Sequence, residues 1–282
     1  QILDIEVNDK RLVVPRLPAE LNGMSIAHIS DLHYTGRFSR DFYNLVVDQT
    51  NALDADLIAL TGDIVDKQHC VAWLASTLGR LRADCGVYFV LGNHDLKIAD
   101  PDEIRAELCG KGLIDVGGRW REAVCRNRTV LLAGNEHPWF RPRPDAADRP
   151  RRPADSFSED APPFSVLLAH TPDQIGWARR HDFDLVLAGH NHGGQIRLPL
   201  VGPIVSPSFH GVRYASGLFH EPPCLMHVSR GVAGDKPIRL NCPPEITKLV
   251  LVRSADAAHV SERALALGVA ETKPSTSCVT GG

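Results

Sequence analysis

The chain has 282 residues, 43% apolar and 23% charged, the proportions of a globular protein with room for one large core or two small ones. Its 31 basic and 34 acidic residues leave a net charge of −3, so no basic surplus points to specific nucleic-acid binding. Seven cysteines, an odd count with no C-x-x-C pair, argue against a full disulfide framework and a cysteine-rich zinc site. No run is long and apolar enough to span a bilayer, and no signal peptide is visible. A start at Gln1 rather than Met leaves room upstream for an export signal or a membrane anchor. The expected setting is therefore cytoplasmic or membrane-associated.

In chain order, residues 2–14 alternate apolar and polar around Asn8-Asp9, as a short hairpin would, and Pro15 and Pro18 end it. Residues 24–30 read as a buried strand running into Asp31-Leu32-His33. A carboxylate and an imidazole two apart at a strand end can converge on one ion; the alternative is a helix-capping Asp beside a surface His. Residues 40–53 have helical spacing, and the strand at 57–60 delivers Thr61-Gly62-Asp63. Residues 71–81 are helical again, with Trp73, Leu74, Leu78 and Leu81 on one face. The strand at 86–91 delivers Gly92-Asn93-His94-Asp95. Three strands, each ending in a polar loop and separated by helices, give the βαβ rhythm, in which ligands gather at the carboxyl ends of the strands. Glycine at Gly62 and Gly92 suits a tight turn close to an ion.

Residues 102–109 form a short helix behind Pro101, and residues 113–116, 121–125 and 129–133 are strands, the last two joined by a turn at 126–128. From 135 to 163 the composition shifts to prolines and arginines without periodicity, a long loop inside the domain. It serves either to help hold phosphate or as a solvated insertion. The strand at 164–169 exposes His170, residues 175–180 are helical, and the apolar run 184–188 leads into Gly189-His190-Asn191-His192-Gly193-Gly194-Gln195. These histidines are either metal ligands or members of a polar turn. Residues 199–207 are a proline-rich loop, 224–229 and 246–252 are strands, and 260–267 is a helix in a tail that begins at 255. One domain is expected over 1–254.

Asp31, His33, Asp63, Asn93, His170, His190 and His192 thus follow strand ends in five places. Carboxylate, amide and imidazole together suit Mn, Fe, Zn or Mg rather than ions selected by thiolate. The spaced motifs Asp31-Leu32-His33, Gly62-Asp63, Gly92-Asn93-His94-Asp95, His170 and Gly189-His190-Asn191-His192 resemble those of the calcineurin-like metallophosphoesterases. Gly193-Gly194-Gln195, Tyr214-Ala215-Ser216-Gly217-Leu218, Val228-Ser229-Arg230-Gly231 and Cys242-Pro243-Pro244-Glu245-Ile246 are similar to its bacterial branch of YkuE- and YaeI-like phosphodiesterases. That branch includes a UDP-diacylglucosamine hydrolase of lipid A synthesis.

The resemblance implies an α/β fold, a four-layer α/β/β/α sandwich of two mixed sheets. It implies two divalent metal ions, the first held by Asp31, His33 and His192, the second by Asn93, His170 and His190, with Asp63 bridging. His94 would stand near the leaving group, oriented by Asp95, and a metal-bound hydroxide would attack phosphorus. The substrate would be a phosphodiester or phosphoanhydride, on a small molecule, a nucleotide-linked molecule or a lipid. The alternatives are a membrane-surface UDP-2,3-diacylglucosamine pyrophosphatase and a non-catalytic metal-bearing scaffold. Trp139, Phe140, Phe209 and Phe219 are candidates for an apolar rim, and equally for the core.

Overall fold

The structure, a computed structural model, describes residues 4–150, 163–234, 238–256 and 269–270. The elements along the first half are β1 (Glu6–Val14), β2 (Ser25–Ile29), α1 (Arg40–Ala52), β3 (Leu57–Thr61), β4 (Val87–Val90), α2 (Pro101–Cys109), β5 (Ile114–Asp115), β6 (Trp120–Cys125) and β7 (Arg128–Asn135). Then follow β8 (Ser165–Ala169), α3 (Ile175–Arg180), β9 (Leu185–Ala188), β10 (Arg197–Leu198), β11 (Gly202–Pro203), β12 (Gly217–Glu221), β13 (Cys224–Val228), β14 (Glu245–Arg253) and β15 (Val269–Ala270).

The strands form two mixed sheets and a small hairpin. The first sheet has the order β15-β1-β14-β2-β3-β4-β5 and the second β12-β13-β9-β8-β7-β6, while β10 and β11 pair with each other. In the first sheet β2, β3, β4 and β5 run parallel. In the second, β13, β9, β8 and β7 do. Apolar side chains between the sheets, including Ile26, Leu57, Val90, Leu132, Val166 and Leu187, make the central core. The opposite face of the first sheet packs on α1 and α2 through Tyr43, Val46, Phe89 and Ile104. The outer face of the second packs on α3 through Trp177, Ala178 and Met226. The expected α/β/β/α layering is present.

Local chemistry explains the element ends. Ser39 caps α1, its hydroxyl accepting from the Phe42 N–H at 3.4 Å, and Asp100 with Pro101 starts α2. Arg126 and Asn127 both take positive φ, 51° and 59°, which closes the β6–β7 hairpin in two residues. Cys85 and Cys125 form a disulfide between the approach to β4 and the end of β6, tying the two sheets together.

Several expectations are corrected. Residues 6–14 are one continuous strand, not a hairpin about Asn8-Asp9. It pairs in parallel with β14 from Glu6↔Glu245 to Val14↔Arg253. The alternation there reflects a strand with one solvated flank, and the Asn8 amide is engaged by Glu245 at 3.0 Å rather than in a turn. Residues 71–81 are not an α-helix but two 3₁₀ segments, Gln68–Ser76 and Leu78–Arg80. Thr77 separates them with φ −109° and ψ −84°, its hydroxyl donating to the Trp73 carbonyl. The apolar face survives, with Leu74 and Leu78 fully buried. The proline-rich 199–207 loop contains part of the β10–β11 hairpin, and β12 follows it. The helix expected over 260–267 lies outside the described residues.

Candidate metal centre

The carboxyl ends of parallel strands from both sheets meet at one place. β2 delivers Asp31 and His33, β3 delivers Asp63, and the loop after β4 delivers Asn93 and His94. From the second sheet, β8 delivers His170 and β9 delivers His190 and His192. Backbone hydrogen bonds lock the strand exits together: Asp31 N donates to the Gly62 carbonyl at 3.0 Å, His33 N to the Asp63 carbonyl at 2.9 Å and Gly189 N to the His170 carbonyl at 2.9 Å.

At the exits of β2, β3 and β9 the chain turns abruptly to aim its side chains inward. Asp31, His33, Asp63, His190 and His192 all adopt positive φ, between 45° and 70°. For residues with a Cβ this is sparsely populated, and it costs on the order of 1–3 kcal/mol each unless the surroundings enforce it. Gly92 and Gly189 are needed for a different reason. A Cβ on Gly92 would strike Asp63, and one on Gly189 would strike Ser30 and Asp31.

Three groups of donors form among the described residues; one is His33, Asp66 and His94, and the other two share Asp63. Of these two, Asp31, His33, Asp63 and His192 make the first, and Asp63, His170 and His190 the second. Asn93 joins the second, its Oδ1 lying 3.1 Å from His170 Nε2. The two histidines of the Gly189–Gln195 loop therefore separate, His192 to the first group and His190 to the second.

Proton placement tests whether cations fit. His170 Nδ1 faces the Thr61 carbonyl at 2.7 Å, which only accepts, so Nδ1 carries a proton. In the neutral ring Nε2 is then a bare lone pair. Yet it faces Asp63 Oδ2 at 3.2 Å, Asn93 Oδ1 at 3.1 Å and His190 Nδ1 at 3.2 Å. Acceptors converging on a lone pair need a positive charge among them. Without an ion a proton must supply it: although burial opposes this, Asp63 pushes the His170 pKa up to about 9. The first group repeats the pattern. His33 Nδ1 is held by Asp66 Oδ1 at 2.7 Å, so its Nε2 lone pair faces His192 Nε2 at 3.3 Å. His192 Nε2 also lies 3.5 Å from Asp31 Oδ1, so the first group gathers around that nitrogen, while Nδ1 across the ring is buried with no hydrogen-bond partner among the described residues. The donor set fits divalent cations.

Charges follow the same logic. Burial would raise the Asp63 carboxyl, but His170 and His33 hold it well below the usual carboxylate range. Burial pushes His192 down to about 3, and burial with His170 pushes His190 down to about 4, so both are neutral donors at neutral pH.

Asp66 is a residue that the sequence reading missed. It is buried, and its carboxylate meets His33 Nδ1 at 2.7 Å, His94 Nδ1 at 2.8 Å and Lys97 Nζ at 2.6 Å. It thereby fixes one ligand ring and the His94 ring at once. Its only trace in the sequence is a second aspartate three residues after Asp63. The expectation that Asp95 orients His94 is corrected. The Asp95 carboxylate accepts from the backbone N–H groups of Ile64, Val65 and Gly92 at 2.9, 2.7 and 2.8 Å. It clips the Asp63 loop to the Asn93 loop, and burial together with the charge on Asp63 pushes it up to about 7.

A cleft of about 490 Å³ opens over the donors. Asp63, Asn93, His94, His190 and His192 line it together with the apolar Ile196, Ile204 and Val205. Trp139 is at the site, its ring centroid 5.2 Å from that of His190 and 5.5 Å from that of His170. Phe209 is exposed, whereas Phe140 and Phe219 pack against core clusters. The described arginines of the 135–163 loop are committed elsewhere: Arg141 to Asp115 at 2.7 Å, Arg143 to Gln174 at 3.2 Å and Arg149 to the His181 carbonyl at 3.0 Å.

A family model described as calcineurin-like phosphoesterase matches residues 24–194, which hold every one of these donors. The chain belongs to the calcineurin-like phosphoesterase family. It is similar to the metallophosphoesterase YkuE of Bacillus subtilis (strain 168), 28% identical over 252 residues covering 88% of this chain and 85% of that one. It is 30% identical over 233 residues to phosphodiesterase YaeI of Escherichia coli (strain K12), covering 80% and 82%. To the UDP-2,3-diacylglucosamine pyrophosphatase LpxG of Chlamydia muridarum (strain MoPn / Nigg) it is 25% identical over 281 residues, covering 83% and 85%. As a calcineurin-like phosphoesterase this chain is a metal-dependent hydrolase of phosphoesters. Among its described residues no helix is long and apolar enough to cross a membrane.

Proposed function

We propose that this protein hydrolyses a phosphodiester or phosphoanhydride at a centre of two divalent ions. Asp31, His33, Asp63 and His192 would hold one ion, and Asp63, Asn93, His170 and His190 the other. The observation that carries this reading is the convergence of acceptors at two points that share one carboxylate, Asp63. When bound, such ions supply Lewis-acid charge for phosphoryl oxygens and acidify water, so that a nucleophile exists at neutral pH.

The chain's own residues do the rest. Asp63 has two oxygens and so can serve both positions. Asn93 contributes a neutral oxygen where a further carboxylate would repel an anionic substrate. His94 lines the cleft, with its Nδ1–H donating to Asp66 at 2.8 Å, while Lys97 Nζ donates to the same carboxylate at 2.6 Å. Its Nε2 is the remaining nitrogen, and in the imidazolium form, with Nδ1–H held by Asp66, it would be suited to give a proton to the departing oxygen. Asp66 is the positioning residue for His94, and Asp95 holds the loops.

Purified protein with added Mn should hydrolyse bis(p-nitrophenyl) phosphate. Asp63→Ala should abolish the rate, and His94→Ala should lower it about 100-fold or more. An unchanged rate in His94→Ala removes the role assigned to that ring. A narrower reading, cleavage of the pyrophosphate of a lipid-linked nucleotide such as UDP-2,3-diacylglucosamine, draws support from the apolar wall Ile196, Ile204 and Val205 beside the donors. The similarity to LpxG supports it as well. Turnover of that compound well above the generic diester would favour it.

A further inference from the structure

Of the thirteen large apolar side chains exposed among the described residues, ten lie in 196–212 and 238–240, so the exposure is local. The two stretches are one surface: Ile196 pairs with Leu240 in an isolated bridge, and Arg197 N donates to the Leu240 carbonyl at 3.0 Å. At its apex is the tip of the β10–β11 hairpin, where Leu200 is 108% exposed and Val201 71%, with Phe209 nearby in sequence at 92%. An apolar concentration of this kind on a water-facing surface marks an interaction site.

Charge, shape and continuity select the occupant. No acidic residue occurs from 185 to 220, in a chain where acids outnumber bases by 34 to 31. Two carboxylates that touch this stretch are occupied: Asp173 by Ser208 and the Phe209 N–H, Glu221 by Arg213 and Tyr214. The same stretch carries Arg197 and Arg213, so its formal charge is positive and an anionic surface does not repel it. A protruding tip with prolines at 199 and 203 needs no complementary groove if its partner is a fluid apolar phase. The patch also continues without a break into the cleft, since Ile196, Ile204 and Val205 form its apolar wall. Polar donors and apolar residues thus share one cleft that adjoins an apolar tip, a combination that suits a phospholipid, which joins a phosphate to acyl chains. The hairpin lies beyond residues 24–194, the segment that the family model matches.

We propose that the β10–β11 hairpin docks this protein on an anionic lipid bilayer, its tip entering the interface and the cleft facing a lipid phosphoester. The choice of a lipid phosphoester rests on the hydrolase reading of the cleft; the docking does not.

Flotation of the full chain with vesicles of mixed phosphatidylglycerol and phosphatidylcholine, against pure phosphatidylcholine, tests it. The wild type should float with the anionic vesicles and much less with the neutral ones. Leu200→Asp combined with Val201→Asp, neither of which lines the cleft, should reduce its partitioning at least ~10-fold and leave hydrolysis of bis(p-nitrophenyl) phosphate unchanged. A wild type that floats with neither vesicle overturns the proposal, as does a double variant that floats equally well. Sedimentation velocity without lipid adds one more contrary result: a dimer that the double variant abolishes, with vesicle binding absent, would assign the tip to a second copy of this chain. Flotation and turnover are read separately. An inert protein that floats retains the docking, and an active one that does not float loses it.

Discussion

Asp66 shows how a single residue can govern a centre that it does not join. One buried carboxylate holds the Nδ1 atoms of His33 and His94, so it sets the tautomer of a ligand and the aim of the candidate acid together. Partners of this kind typically matter by about 10–100-fold in metal affinity or activity. Asp66→Asn, similar in shape but uncharged, should therefore lower kcat on bis(p-nitrophenyl) phosphate by about that factor, while thermal unfolding of the metal-free protein moves little. Equal kcat in the variant and the wild type would show that the two rings are held by packing alone. The seven donors were legible because each is of a ligand type and sits in a spaced motif at a strand end. Asp66 was not, because its importance comes from the side-chain reach of a loop, and the role of Asp95 as the partner of His94 is one that only the family resemblance implies. In this chain Asp95 turns back onto backbone N–H groups, and the ring beside it finds a carboxylate 28 residues upstream.

At the scale of elements, β2 and β13 meet across the central core in a polar contact. His28 of β2 and His227 of β13 are both fully buried, with their Nδ1 atoms 2.8 Å apart. Lys10 Nζ, which only donates, lies 3.3 Å from His227 Nε2 and so leaves the proton of that ring on Nδ1. His227 then donates to His28, and His28 Nε2 donates to Thr61 Oγ1 at 2.9 Å. The chain of donors ends two residues before Asp63. Burial pushes His28 down to about 4 and His227 well below its ordinary value, with Lys10 adding to both, and Glu245 and Asp31 opposing it for His28. In the unfolded chain both would titrate near 6.5, so the unfolded state takes up more protons between these values. The stability conferred by neutral histidines is therefore full above pH 6.5 and declines as pH falls from there toward 4. Each histidine should contribute a loss on the order of 1–2 kcal/mol between pH 6.5 and 5. Urea unfolding of the metal-free protein at the two pH values should show it, with a shallower decline in His227→Gln. Identical declines would remove this pair as the cause.

At this scale the sequence conveyed the strand rhythm from β2 to β9, because buried parallel strands are apolar runs that end in polar loops, though the helix expected before β4 is two 3₁₀ segments. It misled at β1, where one-sided solvation imitates a hairpin, and between β9 and β13. There prolines and short strands carry no period, although the two strands β10 and β11 shape the cleft wall.

For the whole molecule, two sheets pack face to face and contribute opposite halves of one centre. Asp31, His33, Asp63 and Asn93 come from the first sheet and His170, His190 and His192 from the second. A cation held between them is held by both sheets at once, and it replaces mutual repulsion among buried acceptors with attraction. No run of residues in the sequence records that packing; only the motifs together imply it. Ligand binding to the folded state alone raises stability in proportion to RT ln(1 + [L]/Kd), so chelation should lower Tm in the wild type and much less in Asp63→Ala.

The most direct measurement of the central claim is the metal content of freshly purified protein, by elemental mass spectrometry, beside that of Asp63→Ala and His170→Ala. Two divalent ions per wild-type chain are expected, together with a loss at both positions in Asp63→Ala and of one ion in His170→Ala. A wild type that takes up at most one ion even when Mn, Fe, Zn or Mg is supplied in excess, or an Asp63→Ala that keeps two, would contradict a centre built around that shared carboxylate.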